Sequence, residues 1–274
     1  MIFRILLILV FSLLHKSDNN PGNRVIFNDD FEQSYLDLKH WNYELGNGCP
    51  ELCGWGNREY QHYTKENVVI RNKKLVITAT KEGEHYFSGR ITTKDKIEFK
   101  YGTVEVKAKL PKGKGVWPAI WMMPEDDTYG GWPKSGEIDL MEGKDQLIDQ
   151  VNTTAHYGHD FHRYYTRWTS LSPQDYTSDP TNHNVISLIW DEQGFEWVYN
   201  DVVLFTLDYT TLENLEPNPF LERFHMILNS AVGGHYPAYT PDADQYCKIN
   251  DTADCYDSQK LIIDYVAYYS KNTE

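Results

Sequence analysis

The run Ser135-Gly136-Glu137-Ile138-Asp139-Leu140-Met141-Glu142 sets three carboxylates among bulky apolar residues. It follows the glycine- and aromatic-rich Tyr129-Gly130-Gly131-Trp132-Pro133. In an extended strand alternate side chains share a face, so Glu137 and Asp139 point one way and Ile138 and Leu140 the other. Glu142 has the wrong parity to join the acids. One extra residue around Leu140-Met141, a β-bulge, returns it to their face. Three acids there supply two working carboxyls with a third between them, the arrangement double-displacement glycoside hydrolysis requires. Other readings fit the same letters: a solvated acidic strand, a metal-binding cluster, or an amphipathic helix through Ile138, Met141 and Ile148 with Leu140, Leu147 and Val151. Against the helix stand Gly143 in its interior and Ile138, rather than Glu or Gln, three positions after Ser135.

The flanking sequence favours strands. Short apolar or alternating runs recur at 67–70, 74–79, 103–110, 184–190, 194–199, 201–205, 225–229 and 261–269. Asn200-Asp201 reads as a tight hairpin turn, and Lys112-Gly113-Lys114-Gly115 as a turn before Val116 rather than a phosphate loop. Helical candidates reduce to one turn at 212–215. Many short strands separated by turns indicate an all-β sandwich or barrel, and a curved sandwich offers a concave cleft for an extended polymer. No linker, repeat or low-complexity segment divides the chain.

Length and composition narrow the function. The 274 residues suit one large all-β domain or two ordinary ones, and the absence of a linker favours one. Arg4 followed by the apolar run Ile5 to Leu14 and the polar 15–20 has the build of a secretory signal peptide, too short to span a bilayer comfortably. Residues 1–17 are therefore expected to be a signal and 18–274 a single exported domain, a monomer with no membrane attachment after signal removal. A net charge of −14 argues against a nucleic-acid partner, which needs a basic face, and disfavours sulfated substrates. Four cysteines in an exported chain read as two disulfides. Cys49 lies near Cys53 and Cys247 near Cys255, and three connectivities remain open. Asn152-Thr153-Thr154 and Asn250-Asp251-Thr252 are N-glycosylation triplets.

Several groups are placed to serve a carbohydrate cleft. Trp117 and Trp121, four apart on one strand, form a platform for sugar rings if exposed and core if buried. Trp132 sits on the loop entering the acidic strand, where binding groups concentrate. Asn57, Glu59 and Gln61 alternate as a polar ladder. Arg90 offers either a sugar donor or an ion-pair partner, His156 follows the acidic strand, and Asn229 ends an apolar strand beside Gly233-Gly234.

These residues together resemble glycoside hydrolase family 16, in particular its laminarinase-like endo-β-1,3-glucanases. The resemblance runs through Trp55-Gly56-Asn57-Arg58-Glu59, Trp117-Pro118-Ala119-Ile120-Trp121, Glu137-Ile138-Asp139-Leu140-Met141-Glu142, His156-Tyr157-Gly158, Leu228-Asn229 and Asp264-Tyr265-Val266. It implies a jelly-roll β-sandwich of two curved antiparallel sheets and a secreted, retaining enzyme acting on β-1,3-glucan or mixed β-1,3-1,4-glucan. Carried over, Glu137 is the nucleophile, Glu142 the acid/base and Asp139 the residue that tunes the nucleophile. Asn57, Arg90, Trp117, Trp121, Trp132, His156 and Asn229 line the subsites. The resemblance also implies a structural calcium ion held by Asp264 and backbone oxygens near Asp30, with no cofactor needed for the chemistry; Lys73 stands where a glycine is usual at that site. The rival readings are a β-glucan recognition module lacking turnover, and a galactan hydrolase or transglycosylase on the same scaffold.

Overall fold

Alternation in the short apolar runs becomes strand after strand, and no α-helix forms among the described residues. The computed structural model describes residues 24–111, 113–144, 150–170, 183–237 and 259–270. Residues 1–17, Lys112, Cys247, Cys255 and the Asn250 triplet lie outside them. In chain order the strands are β1 (Val25–Asp29), β2 (Asn42–Tyr43), β3 (Gln61–Tyr63), β4 (Val68–Ile70), β5 (Leu75–Thr78), β6 (Thr80–Glu82), β7 (His85–Ser88), β8 (Arg90–Thr92) and β9 (Gly102–Lys109). They continue as β10 (Val116–Pro124), β11 (Glu137–Glu142), β12 (Gln150–Tyr157), β13 (Arg163–Ser170), β14 (Asn184–Trp190), β15 (Gly194–Tyr199), β16 (Val202–Asp208), β17 (Phe224–Val232) and β18 (Lys260–Tyr269).

Two large antiparallel sheets face each other. One runs β13-β12-β11-β10-β17-β8-β2, the other β16-β15-β14-β9-β18-β5-β4 with β1 against β18. Neighbours distant in sequence, such as β10 with β17 and β9 with β18, are the crossing connections of a jelly roll. A small sheet, β3-β7-β6, flanks them. Between the large sheets lies the core: Ile120, Met122, Ile138, Leu140, Met226 and Leu228 from the first meet Val104, Val106, Ile186, Leu188, Leu261 and Ile263 from the second. Each such side chain contributes ~1.5–3 kcal/mol by leaving water. That burial fixes which face of the first sheet is left for function.

The turn at Asn200-Asp201 forms as expected, both residues at positive φ (45° and 66°). Three readings change. The helical turn falls at Tyr209–Thr211 instead of 212–215, because Asp208 caps it by accepting from the Thr210 N–H at 2.8 Å. Strands β12 and β13 were not foreseen. The Asn152 triplet is not a surface loop: Asn152 is buried within β12, and its amide donates to Thr154 Oγ1 at 3.1 Å. Cys49 and Cys53 are disulfide-bonded, so that local pairing holds.

Candidate active site

The bulge in β11 is present where parity required it. Against β12, Asp139 pairs with Thr154 and Glu142 with Asn152, so the three-residue step in β11 faces a two-residue step in its neighbour. Against β10 the same shift separates the Met141 and Asp139 pairs. Leu140 and Met141 are both buried in the core, and Glu142 returns to the face of Glu137 and Asp139. The carbonyl of Asp139 accepts a hydrogen bond at 2.9 Å from the buried Trp197 Nε1 on the opposite sheet. An aromatic side chain of the second sheet thus props the deformed strand from beneath.

Each outer carboxylate has its own indole donor. Trp132 Nε1 donates to Glu137 Oε2, and Trp117 Nε1 donates to Glu142 Oε1 at 2.9 Å. The middle acid, Asp139, is buried with its Oδ2 3.2 Å from His156 Nε2, and His156 Nδ1 lies 2.9 Å from His162 Nε2. Oxygens of Glu137 and Asp139 and a nitrogen of His156 lie within 4.8 Å of one another. Asp139 Oδ2 has no hydrogen-bond partner in this cluster, and His156 approaches it only as a close N···O pair.

Crowding and burial raise all three acids. Glu137 is pushed to about 8, chiefly by burial and then by the Asp139 charge. Glu142 is pushed to about 7, by burial and then by Glu137, with the Trp117 N–H pulling the other way. Burial first, then Glu142, holds Asp139 well above the usual carboxylate range. Three like charges this close do not all ionise near neutrality, so the cluster retains a proton that can be delivered. Their separate roles follow from their places on the strand, Glu137 at its start and Glu142 beyond the bulge.

The expected subsite residues gather around this strand. Trp117 and Trp121 both lie half-buried on the open face of β10, and Trp132 is 50% exposed at the groove edge. Trp121 Nε1 donates to Asn229 Oδ1 at 2.7 Å, and Asn229 Nδ2 donates to the Tyr63 hydroxyl at 3.0 Å. The Tyr63 hydroxyl donates in turn to Glu59, at 3.3 Å. Asn57 and Gln61 donate to the same carboxylate at 3.1 and 2.6 Å. The polar ladder is thus a supporting network with Glu59 at its centre. Burial raises the Glu59 pKa, while hydrogen bonds from Gln61 and Asn57 and the Arg90 charge oppose the shift. Arg90 lies beneath the groove: its guanidinium is sandwiched between Trp55 (4.3 Å) and Trp121 (5.0 Å) and ion-paired with Glu44. It braces the platform where a sugar donor was one expectation.

Four further residues complete the groove and escaped the sequence reading. His162 packs on Trp132 at 4.5 Å and Tyr164 on His162 at 5.5 Å. Tyr236 stacks between Trp117 (4.8 Å) and Trp168 (5.9 Å). Parity could have found Tyr164 and Trp168, four apart like Trp117 and Trp121, had β13 been recognised.

The calcium position fits poorly as the side chains stand. One Asp264 oxygen is taken by the Lys74 ammonium and the other by His183 Nδ1. Asp30 is exposed, and Lys73 reaches away to Glu32. An ammonium and an imidazole already occupy the oxygens a divalent ion would need.

A jelly-roll sandwich whose open face carries a bulged carboxylate triad in an aromatic-walled groove has the architecture of a glycoside hydrolase. The sequence profile of glycosyl hydrolases family 16 matches residues 56–250, and the chain belongs to that family. It is 37% identical over 243 residues to the glucan endo-1,3-beta-glucosidase A1 of Niallia circulans, covering 81% of this chain and 36% of that longer protein. The laminarinase catalytic domain of Thermotoga maritima superposes with a TM-score of 0.80 at 34% identity, over 92% of this chain and all of that one. A family 16 protein of the Bacteroides ovatus mixed linkage glucan PUL, solved with a G4G4G3G product, superposes with a TM-score of 0.71 at 32% identity, over 88% of this chain and 99% of its own.

Proposed function

We propose that the protein is a retaining endo-glucanase cleaving β-1,3-glucan, with mixed β-1,3-1,4-glucan as a second substrate. The observation that carries this reading is the bulge, which sets Glu137, Asp139 and Glu142 on one face with an indole N–H on each outer acid. In the first step the Glu137 carboxylate attacks the anomeric carbon while the protonated Glu142 gives its proton to the departing glycosidic oxygen. The C–O bond to the leaving sugar breaks and a glycosyl ester on Glu137 forms. Glu142, now a carboxylate, takes a proton from water, whose oxygen attacks the same carbon and frees Glu137. The Trp132 N–H stabilises the ionised nucleophile, and Asp139, beside it on the same face, adjusts its charge. Metal ions take no part in these steps. The endo and β-1,3 readings draw on the relatives, a glucan endo-1,3-beta-glucosidase and a laminarinase among them.

We further propose that the protein is exported and works as a monomer. The charged and apolar residues at its start and the Cys49–Cys53 bond support export; the N-terminal sequence of secreted protein tests it.

Incubation with laminarin, lichenan, agarose and carrageenan, followed by reducing-end assay, tests the substrate. Laminarin is expected to be cut fastest and the galactans not at all. Glu137→Ala is expected to bind laminarin without turnover. Failure to cut any glucan would overturn the enzyme reading in favour of a recognition module.

A further inference from the structure

The outermost strand of the groove sheet carries an arrangement that the chemistry above does not use. Reading across β11, β12 and β13, the paired residues form three rows on the open face: Glu137–His156–Tyr164, Asp139–Thr154–Thr166 and Glu142–Asn152–Trp168. The central row shrinks to threonines beyond Asp139, while the outer rows end in aromatic rings. Thr154 and Thr166 join hydroxyls at 3.0 Å, and the Thr166 hydroxyl also lies 2.6 Å from Asn152 Oδ1, so the floor is low and internally satisfied.

The rows build two walls. Trp132, His162, His156 and Tyr164 pack ring against ring on the Glu137 side. Trp117, Tyr236 and Trp168 stack on the Glu142 side. Along β13 the wall tips stand four residues apart, ~13 Å between α-carbons, and two strand spacings put them ~10 Å from β11. The groove therefore runs past the carboxylates to the edge of the sheet and keeps its walls.

Position and exposure together mark these rings, since Tyr165 is 40% exposed too but lies on the other face. Tyr164 is 59% and Trp168 40% exposed, although both lie on the groove face. Tyr165, on the opposite face of the same strand, is stacked on Phe205 at 5.3 Å and 9°. Sheet propensity accounts for aromatic residues in β13, but it does not account for partly exposed rings on either side of a threonine floor, one of them, Trp168, lying between Tyr236 and the Lys144 ammonium. Aromatic faces presented to water in a groove match the apolar C–H faces of sugar rings.

We propose that Tyr164 and Trp168 form a further glucan subsite, which holds a sugar ring of the bound chain beyond the one next to the cleaved bond. The proposal rests on the glucanase reading for its ligand. The subsite lengthens the stretch of polymer gripped and so acts on KM for long chains.

The test is steady-state kinetics on laminarin for Tyr164→Ala and the Tyr164→Ala/Trp168→Ala double variant, with Tyr164→Phe and Trp168→Phe as ring-retaining controls. Retention in laminarin-containing native gels is measured in parallel in a Glu137→Gln background, where turnover does not intervene. We expect KM to rise about tenfold in the double variant, with the phenylalanine variants near wild type and gel retention falling in step. Urea midpoints for each variant separate lost folding from lost binding, and Tyr164→Ala, which leaves the Trp117–Tyr236–Trp168 stack intact, gives the cleaner reading. Unchanged KM and unchanged retention in the folded double variant would overturn the subsite while leaving the glucanase reading standing. Retention lost on ring removal in a protein that never cuts laminarin would sustain the subsite and overturn the hydrolase. Absence of both binding and cutting in the wild type overturns both.

Discussion

Replacing Glu137 by Gln keeps an oxygen to accept the Trp132 N–H and removes the charge, so it isolates what ionisation of this carboxyl costs the fold. Burial and the Asp139 charge raise Glu137 from 4.5 to about 8. A carboxyl raised on folding binds more protons in the native than in the unfolded chain. Its contribution to stability is therefore whole below about 4.5 and is lost as pH climbs through about 8. At ~1.4 kcal/mol per unit the whole shift amounts to ~4–5 kcal/mol. Glu137 keeps some contact with water, which screens its charge, so ~1–3 kcal/mol is the expected share. Urea unfolding at about pH 4.5, 6, 7 and 8.5 measures it. The variant and wild type are expected to match near the acid end, and the variant to gain ~1–3 kcal/mol by the alkaline end, or ~2–10 °C in Tm for a chain of this size. A constant offset across the range, or a wild type that gains on the variant as pH rises, would refute the reasoning.

Other perturbations test neighbouring parts of the site. Trp117→Phe retains the stack on Tyr236 and removes the N–H that lowers the Glu142 pKa, so the alkaline limb of kcat/KM is expected to move upward; a limb that stays or falls contradicts this. Arg90→Ala leaves Glu44 without its partner and opens the gap between Trp55 and Trp121, which is expected to lower unfolding free energy by about 2–4 kcal/mol in urea melts. Asn152, buried in β12, is expected to carry no glycan after expression in a glycosylating host, as peptide mass spectrometry would show. With Asp264 already bound by Lys74 and His183, adding calcium or a chelator is expected to leave Tm unchanged.

The acidic strand was legible because its logic is local: parity alone demanded a bulge between Asp139 and Glu142, and the core takes Leu140 and Met141 as that bulge requires. The sandwich was legible for the same reason, since its inner faces alternate in short runs. Strand β13 was hidden because it carries polar and aromatic residues on both faces, Arg163 to Ser170, so no apolar period marks it; β12 alternates only faintly, its inward Val151, Ala155 and Tyr157 interrupted by Thr153. Whether Arg90 meets a sugar or Glu44 is decided by a residue 46 positions away, beyond the reach of pattern reading. Tyr236 enters the groove only because its loop folds between Trp117 and Trp168.

The claim on which the rest depends is that Glu137 and Glu142 cleave β-glucan by double displacement. Proton NMR of a laminarin digest, recorded before mutarotation equilibrates the new reducing ends, tests it most directly. The β-anomer is expected to appear first in the wild type and no product with Glu137→Ala. An α-anomer as the first product, or undiminished cleavage without Glu137, would contradict it.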